Sequence, residues 1–399
     1  LATRPWAGRQ GKTVKLFYQD SHLREFTAEV ISCEAVKDRY EIETDRTAFF
    51  PEGGGQYADT GELGGVRVLD VREENGRIFH VADGPLEVGT TVSGRIDWEE
   101  RFMKMQQHTG EHIVSGLVHS KFGYSNVGFH LGSEDCTMDF NGEITGEELR
   151  EIELEANRAV WKNLEIQVLY PSASEAEHME YRSKIEIEGQ IRIVTVPGYD
   201  VCACCAPHVK RTGEIGLIKL TGMQRYKGGV RVTMLCGVRA LSDYAVKQEQ
   251  AADISALLCA KQNEIAEAVH HLRDECAGLK SQIVGKDRKL VMYQAEMVPD
   301  EEETVCIFSD DIEGENMRLL MNKVLERERK LCAVFHGDGS GGYRYVIGSR
   351  SADMRPFVKE FNAAFDGRGG GRPEMVQGTA SGNEEDIKAW ILEKAGSMQ

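Results

Sequence analysis

Between residues 13 and about 95, apolar and polar positions alternate in short runs, such as Val14, Leu16 and Phe17 and later Val66, Val68 and Val71, broken at Glu74-Asn75-Gly76 and Asp83-Gly84-Pro85. Alternation with turn signals at this spacing predicts a small β-barrel or sandwich. The period then changes. Over 98–122, Met105, His108, Thr109, His112, Ile113, Gly116 and Leu117 fall at three- and four-residue steps, which predicts one long helix. Strand-like runs at 137–140, 166–169 and 191–196, with a charged helix over 146–163, make 96–240 an α+β domain.

From 241 to about 290 the chain reads as a helical or coiled-coil segment. Ile265, Val269, Leu272, Cys276, Leu279, Ile283 and Leu290 form an apolar seam, interrupted by Gln262 and Lys286 and weakened by Gly278 and Gly285. Such a stripe needs a partner, which predicts a homodimer built on this linker and the domain after it. Strands at 304–308, 331–335 and 343–347 alternate with helices at 316–327 and 354–365, the signature of a separate α/β domain. The predicted organisation is therefore four parts with boundaries at 1–95, 96–240, 241–295 and 296–399. The last part ends in GRGGGRPEMVQGTASG, read as a flexible glycine-rich loop carrying Arg368 and Arg372.

Composition narrows the function classes. A chain of 399 residues with 41% hydrophobic residues can build several cores, and no apolar run approaches a membrane span. The opening LATRPWAGRQGK lacks a signal-peptide core, so a cytoplasmic location is expected. Ten dispersed cysteines read as reduced thiols, with only Cys202, Cys204 and Cys205 clustered. A net charge of −17 argues against nonspecific coating of nucleic acid, although Arg225, Lys227, Arg231, Arg368 and Arg372 sit in glycine-rich surroundings where a local basic patch can persist.

The chemistry concentrates in two motifs. His108 and His112 in QQHTGEH stand one helical turn apart on one face, and CACCAPH supplies Cys204 and His208. Either motif alone arises by chance. Together they offer three imidazoles and a thiolate from two separated elements, the donor set of a mononuclear zinc site, one Zn2+ per chain. Gln106, Gln107, Thr109, Glu111 and His130 are the nearby polar residues for water positioning, with Glu111 reading equally as a solvated helix residue. The segment FFPEGGGQYADTG fits either a plain turn or a loop whose backbone a ligand approaches closely.

HTGEH, CCAPH and PEGGGQYADTG together resemble the editing domain of alanyl-tRNA synthetase and the freestanding AlaX trans-editing proteins, and GRGGGRPEMVQG resembles the DHHA1 domain that follows it in the long AlaX form. The resemblance covers nearly the whole chain. It implies an α+β multidomain fold: an N-terminal β-barrel, a zinc-containing editing domain, a helical linker and an RNA-binding α/β DHHA1-like domain. It places zinc on His108, His112, Cys204 and His208, and the amino-acid pocket beside Gly53, Gly54, Gly55 and Gln56, with Asn126 near a polar active-site position. Gln107, Thr109 and His130 become the catalytic expectations. Arg368, Gly369, Gly370, Gly371 and Arg372 become the RNA contact. Where the family has glycines, this chain has Cys205, Ala206 and Pro207, so the ligand loop is stiffer and Cys205 can compete as a ligand.

The implied reaction is deacylation of tRNA(Ala) mischarged with serine or glycine, without charging activity, since nothing ahead of residue 13 resembles an aminoacylation core. Two other classes remain: a noncatalytic tRNA-binding protein with a structural zinc, and a DHH-type phosphoesterase. The second conflicts with the lack of an Asp-His-His run, His270-His271 following Val269.

Overall fold

The structure, a computed structural model, describes residues 11–133, 135–183, 190–337 and 339–398. Most of the opening segment read for a signal peptide, residues 1–10, lies outside the described residues. The chain divides into two compact units, Leu1–Ala252 and Asp253–Gln399. No described helix is long and apolar enough to cross a membrane.

Unit 1 begins with six strands, β1 (Glu25–Val36), β2 (Arg39–Thr44), β3 (Gly61–Leu63), β4 (Val66–Glu74), β5 (Arg77–Ala82) and β6 (Thr91–Ile96). They pair in the order β1-β2-β5-β4-β3-β6, and β6 pairs back onto β1 to close the ring. Alternate side chains turn inward, so Ile42, Leu63, Val68, Val71 and Ile78 meet Phe49 in one core.

Helix α1 (Trp98–Phe122) follows, ended by Gly123 in the left-handed conformation at φ 73°. Glu99 and Glu100 in its first turn and Lys121 in its last complement the helix dipole. Beyond it come β7 (Asn126–Leu131), β8 (Cys136–Phe140), α2 (Gly146–Lys162), β9 (Gln167–Leu169), β10 (Ile193–Val196), β11 (Asp200–Ala203), β12 (Ile218–Tyr226) and β13 (Gly229–Cys236). A capping box starts α2, Thr145 and Glu148 each accepting from the other's backbone N–H. The sheet β12-β13-β8-β7 packs Met138, Phe140, Val232 and Met234 against Ile113, Val114 and Val118 of α1 and Ile152, Ala156 and Val160 of α2. A second sheet, β9-β10-β11, brings Asp200 and the loop after Ala203 to the other side of α1.

The helical segment expected over 241–290 consists of two helices, α3 (Gly237–Leu257) and α4 (Ile265–Met297), and the seam from Ile265 to Leu290 lies along α4. The break is a Schellman-type cap: Cys259 takes φ 50°, and the Ala260 N–H donates to the Ser255 carbonyl five residues back. Cysteine is an unusual residue for that position, so the sequence carries no stop signal there. Val269, Leu272, Leu279 and Ile283 of the seam stay exposed on α4, which buries only Val291 and Ala295.

Unit 2 continues with β14 (Thr304–Ser309), α5 (Glu315–Leu325), β15 (Leu331–His336), β16 (Gly342–Gly348), α6 (Met354–Ala364), β17 (Arg368–Arg372), β18 (Met375–Ser381) and α7 (Glu384–Ser397). The sheet order is β14-β15-β16-β18-β17, parallel only between β14 and β15. One face packs on α6 and α7 through Phe335, Tyr345 and Phe361, the other on α5 and the end of α4 through Val334, Val346 and Leu320. The segment read as a flexible loop around Arg368 and Arg372 is thus the edge strand β17 of a hairpin. Its glycines permit the pairing: a Cβ on Gly369 would collide with the Gln377 carbonyl and the Tyr345 hydroxyl.

His80 sits fully buried in the ring, its Nδ1–H donating to the Ile42 carbonyl at 2.9 Å and its Nε2 accepting from the Thr47 hydroxyl at 2.8 Å. Burial holds its pKa down to about 4. Between about pH 6.5 and 4 the unfolded chain therefore binds a proton that the folded chain refuses, and stability falls as pH falls through that window. The contribution amounts to about 3 kcal/mol at its limit. In His80→Gln this component is absent, so urea midpoints of wild type and variant should converge as pH drops from 7 to 4.5. Parallel curves would contradict the assignment.

Candidate metal centre

The middle of α1 is buried on every side, yet it is built largely of polar residues. Gln106, Gln107, His108, Thr109, Glu111, His112 and Ser115 are each at most 7% exposed. Buried polar groups need partners, and the two histidines among them converge on one point.

His108 and His112 meet Cys204 and His208, the four donor atoms lying within 4.8 Å of one another. The Cys204 Sγ is 3.5 Å from His108 Nε2 and 3.4 Å from His208 Nε2. Metal bonds of about 2.0–2.1 Å to nitrogen and about 2.3 Å to sulfur give a tetrahedral N–S edge of roughly 3.6 Å, so these spacings fit a single zinc-like ion at the centre. The outer contacts agree. His108 Nδ1 pairs with Gln56 Oε1 at 3.1 Å, His112 Nδ1 with Asp200 Oδ2 at 2.9 Å, and His208 Nδ1 with Thr109 Oγ1 at 3.0 Å. Each imidazole has a separate Nδ1 partner, leaving the three Nε2 lone pairs for a metal.

At Cys204 and His208 electrostatics favours the same state, whereas His112, despite burial that pulls it down, is raised well above its ordinary value by Asp200 and Cys204, so a metal bound there displaces a proton. Burial opposes ionisation of Cys204, but the imidazoles of His108 and His208 outweigh it and hold the thiol well below its ordinary value. Burial pushes His208 down to about 3, keeping it a neutral ligand. Asp200 is also buried, and His112 with the two-pronged Arg182, at 2.7 and 2.9 Å, keeps it ionised.

The other expected site residues divide. Gly54 and Gly55 take φ 62° and 81° at the centre of a tight turn, in which Gly53 and Gln56 exchange backbone hydrogen bonds of 3.0 Å. A Cβ on Gly54 would lie 3.7 Å from His108, and one on Gly55 would press into Phe129 at 2.7 Å, so the turn lies directly on the ligand helix. Asn126 donates to Glu111 Oε1 at 2.6 Å and to Ser115 Oγ at 2.9 Å.

Glu111 is 1% exposed, correcting its reading as a solvated helix residue. Gln107 clamps the Cys236 backbone through both ends of its amide, at 2.8 Å each, so its hydrogen bonds hold β13. His130 is not brought to the centre. Strand alternation turns Phe129 inward, its ring 4.9 Å from that of His108, and leaves His130 exposed on the opposite face. Cys205 stands outside the four donors, its Sγ packed over the glycine turn. Asp200 and Arg182 gave no spacing signal; the one hint was an acidic residue four positions before Cys204.

Residues 191–233, which include Cys204 and His208, match the family described as the threonyl and alanyl tRNA synthetase second additional domain, and 302–395 match the DHHA1 domain. The chain is 28% identical to the alanyl-tRNA editing protein AlaX-L of Pyrococcus horikoshii across 96% of its length and 98% of that protein's. The chain is thus similar over nearly its whole length to the freestanding alanyl-tRNA editing proteins in their long form. The alanyl-tRNA editing protein Aarsd1 of Rattus norvegicus is 26% identical over 92% of this chain and 94% of its own. The alanine–tRNA ligase of Pyrobaculum neutrophilum is 31% identical, and there the chain spans 44% of the relative's length. The order of the two matched domains agrees with the long editing proteins, and the fold is the mixed α+β multidomain arrangement expected of them.

Partners of the ligand imidazoles tune metal affinity by about 10- to 100-fold. Asp200→Asn is therefore expected to weaken retention of a divalent ion by that factor, read by competition with a chromophoric chelator. His108→Ala combined with Cys204→Ala should leave no bound metal by elemental analysis. Unchanged metal content in the double variant would remove the site assignment.

Proposed function

We propose that this protein is a trans-editing hydrolase that deacylates tRNA(Ala) mischarged with serine, and also with glycine, at a site built around one Zn2+ held by His108, His112, Cys204 and His208. The observation that carries the reading is the seating of the Gly53–Gln56 turn directly on the helix that presents two of the four donors. A backbone free of side chains beside a cationic centre can admit an acyl group and its ester carbonyl. Names given to its relatives, alanyl-tRNA editing proteins, support the same substrate class.

A zinc held by His108, His112, Cys204 and His208 would supply positive charge beside the ester carbonyl. The chain's own residues do the rest. Gly53, Gly54, Gly55 and Gln56 form the wall of the amino-acid pocket, and Asn126 is held at its edge by Glu111 and Ser115. Thr109 acts through His208, and Gln107 through β13. Residues 1–95 serve as the N-terminal β-barrel, 96–240 as the editing domain, 241–295 as the linker that self-associates, and 296–399 as the RNA-binding domain. Within the last, Arg368 and Arg372 on the exposed edge strand offer planar donors to phosphate, flanking Gly369, Gly370 and Gly371. The protein works in the cytoplasm as a homodimer.

One observation favours a second reading. Four protein donors complete a tetrahedron, the closed arrangement of structural zinc, whereas catalytic zinc keeps a position open. On that reading the protein binds tRNA without cleaving it.

Ser-tRNA(Ala) is expected to be hydrolysed and Ala-tRNA(Ala) spared by at least about 100-fold, because a pocket that hydrogen-bonds a hydroxyl discriminates strongly against its absence. Release of labelled amino acid measures both. Equal rates remove the selectivity argument, and no hydrolysis of either ester leaves the binding-only reading. In Arg368→Ala combined with Arg372→Ala, tRNA affinity should fall and the slope of log K against log salt should become shallower by about 1.5. An unchanged slope would take β17 out of the RNA contact.

A further inference from the structure

The helix face that leads to His108 carries buried and unbalanced charge. Arg101 and Lys104 are fully buried, and the one carboxylate buried with them is Asp59, 2% exposed; Glu100, 3.5 Å from Lys104, sits at the rim. Such ion clusters are commonly no more stable than an apolar replacement, so stability is a weak explanation for this one.

Positions 101, 104 and 108 share one face of α1, and each holds a different part of the segment 48–59. Arg101 Nη2 donates to the Ala48 carbonyl at 2.7 Å while Nε donates to Asp59 Oδ2 at 2.8 Å. The same Asp59 oxygen accepts from the Phe50 N–H at 2.7 Å, and the Asp59 N–H returns a bond to the Phe50 carbonyl at 2.9 Å, closing the stem of the loop. Lys104 Nζ donates to the Ala58 carbonyl at 2.6 Å and lies 3.9 Å over the Tyr57 ring. His108 meets Gln56 at the inner turn. Both stems and the turn are thus registered on a single rigid helix.

We propose that Arg101 and Asp59 are positioning residues: together they fix the height of the Gly53–Gln56 turn over His108, and through it the fit of the acyl group. The proposal rests on the editing function set out above. The pair requires an arginine, since a guanidinium reaches Asp59 and Ala48 at once, whereas an ammonium is a single compact donor. Any loosening of the turn is visible without substrate, because the Gly53 and Gln56 N–H groups donate to each other's carbonyls across it and exchange with solvent once it opens.

The test uses the full, metal-loaded chain. In Arg101→Lys and Asp59→Asn, metal content should stay at the wild-type value while amide hydrogen exchange in the peptide spanning Gly53 to Gln56 quickens about tenfold, as local opening breaks the two turn bonds. Amides of β15 in unit 2 serve as internal references in the same mass spectrum. Discrimination between Ser-tRNA(Ala) and Ala-tRNA(Ala) should fall by about tenfold or more, chiefly through kcat, as misplacement by a fraction of an ångström does. Ile152→Val, a core change in α2, lowers thermal stability and should move neither readout. An unchanged exchange rate overturns the proposal, and a raised rate with wild-type discrimination overturns its catalytic half. Should Asp59→Asn fail to fold, Arg101→Lys, which keeps the buried charge, decides alone. A wild-type chain that cleaves neither ester would count against the proposed function, while the exchange rates would still judge the clamp.

Discussion

The structure depends on a helix that is polar and yet buried. A polar group withdrawn from water without a partner costs about 1–3 kcal/mol, more if charged, and α1 hides seven such residues between Gln106 and Ser115. Every one constrains something around it. Gln106 and Gln107 reach the Glu214 carbonyl and the Cys236 backbone, Ser115 donates to Glu111, and the two histidines face Gln56 and Asp200. The surrounding sheets are placed by this need for partners as much as by the apolar core.

That constraint ties the centre to its cover. His108 is both a metal donor and the anchor of the glycine turn, so the turn cannot shift without disturbing an imidazole. The loop of Cys204 and His208 is fixed from outside in the same manner, Arg192 donating to the Cys204 and Ala206 carbonyls at 2.8 and 2.9 Å. In the proposed function, a centre with four protein donors would draw its reactivity from what stands next to it, which gives the backbone of Gly53 to Gly55 more weight there than any single acid or base.

Much of this was legible in the chain. The bounds of α1 follow from its period and from Gly123, and those of α2 from its capping box. The four residues that converge declared themselves by type and spacing. What stayed hidden depended on long-range pairing. Asp200 and Arg182 find His112 only once β11 lies along α1. The misplacement of His130 turned on a single strand parity, and the break at Cys259 on a residue that seldom adopts the left-handed conformation. The edge strand β17 was masked by glycines that read as loop signals, although here they permit close strand approach.

The two halves of the centre lie far apart in the chain: His108 and Cys204 are separated by 96 residues. Nothing local can assemble such a site. α1 and the strand β11 must come together before the loop 204–208 reaches the histidines, so a metal held there would be captured after that long-range pairing. A nascent chain that ends before residue 208 lacks the thiolate's partner, His208. An ion held there would therefore act as a seal on a completed unit, and a chain that misfolds upstream would never acquire it.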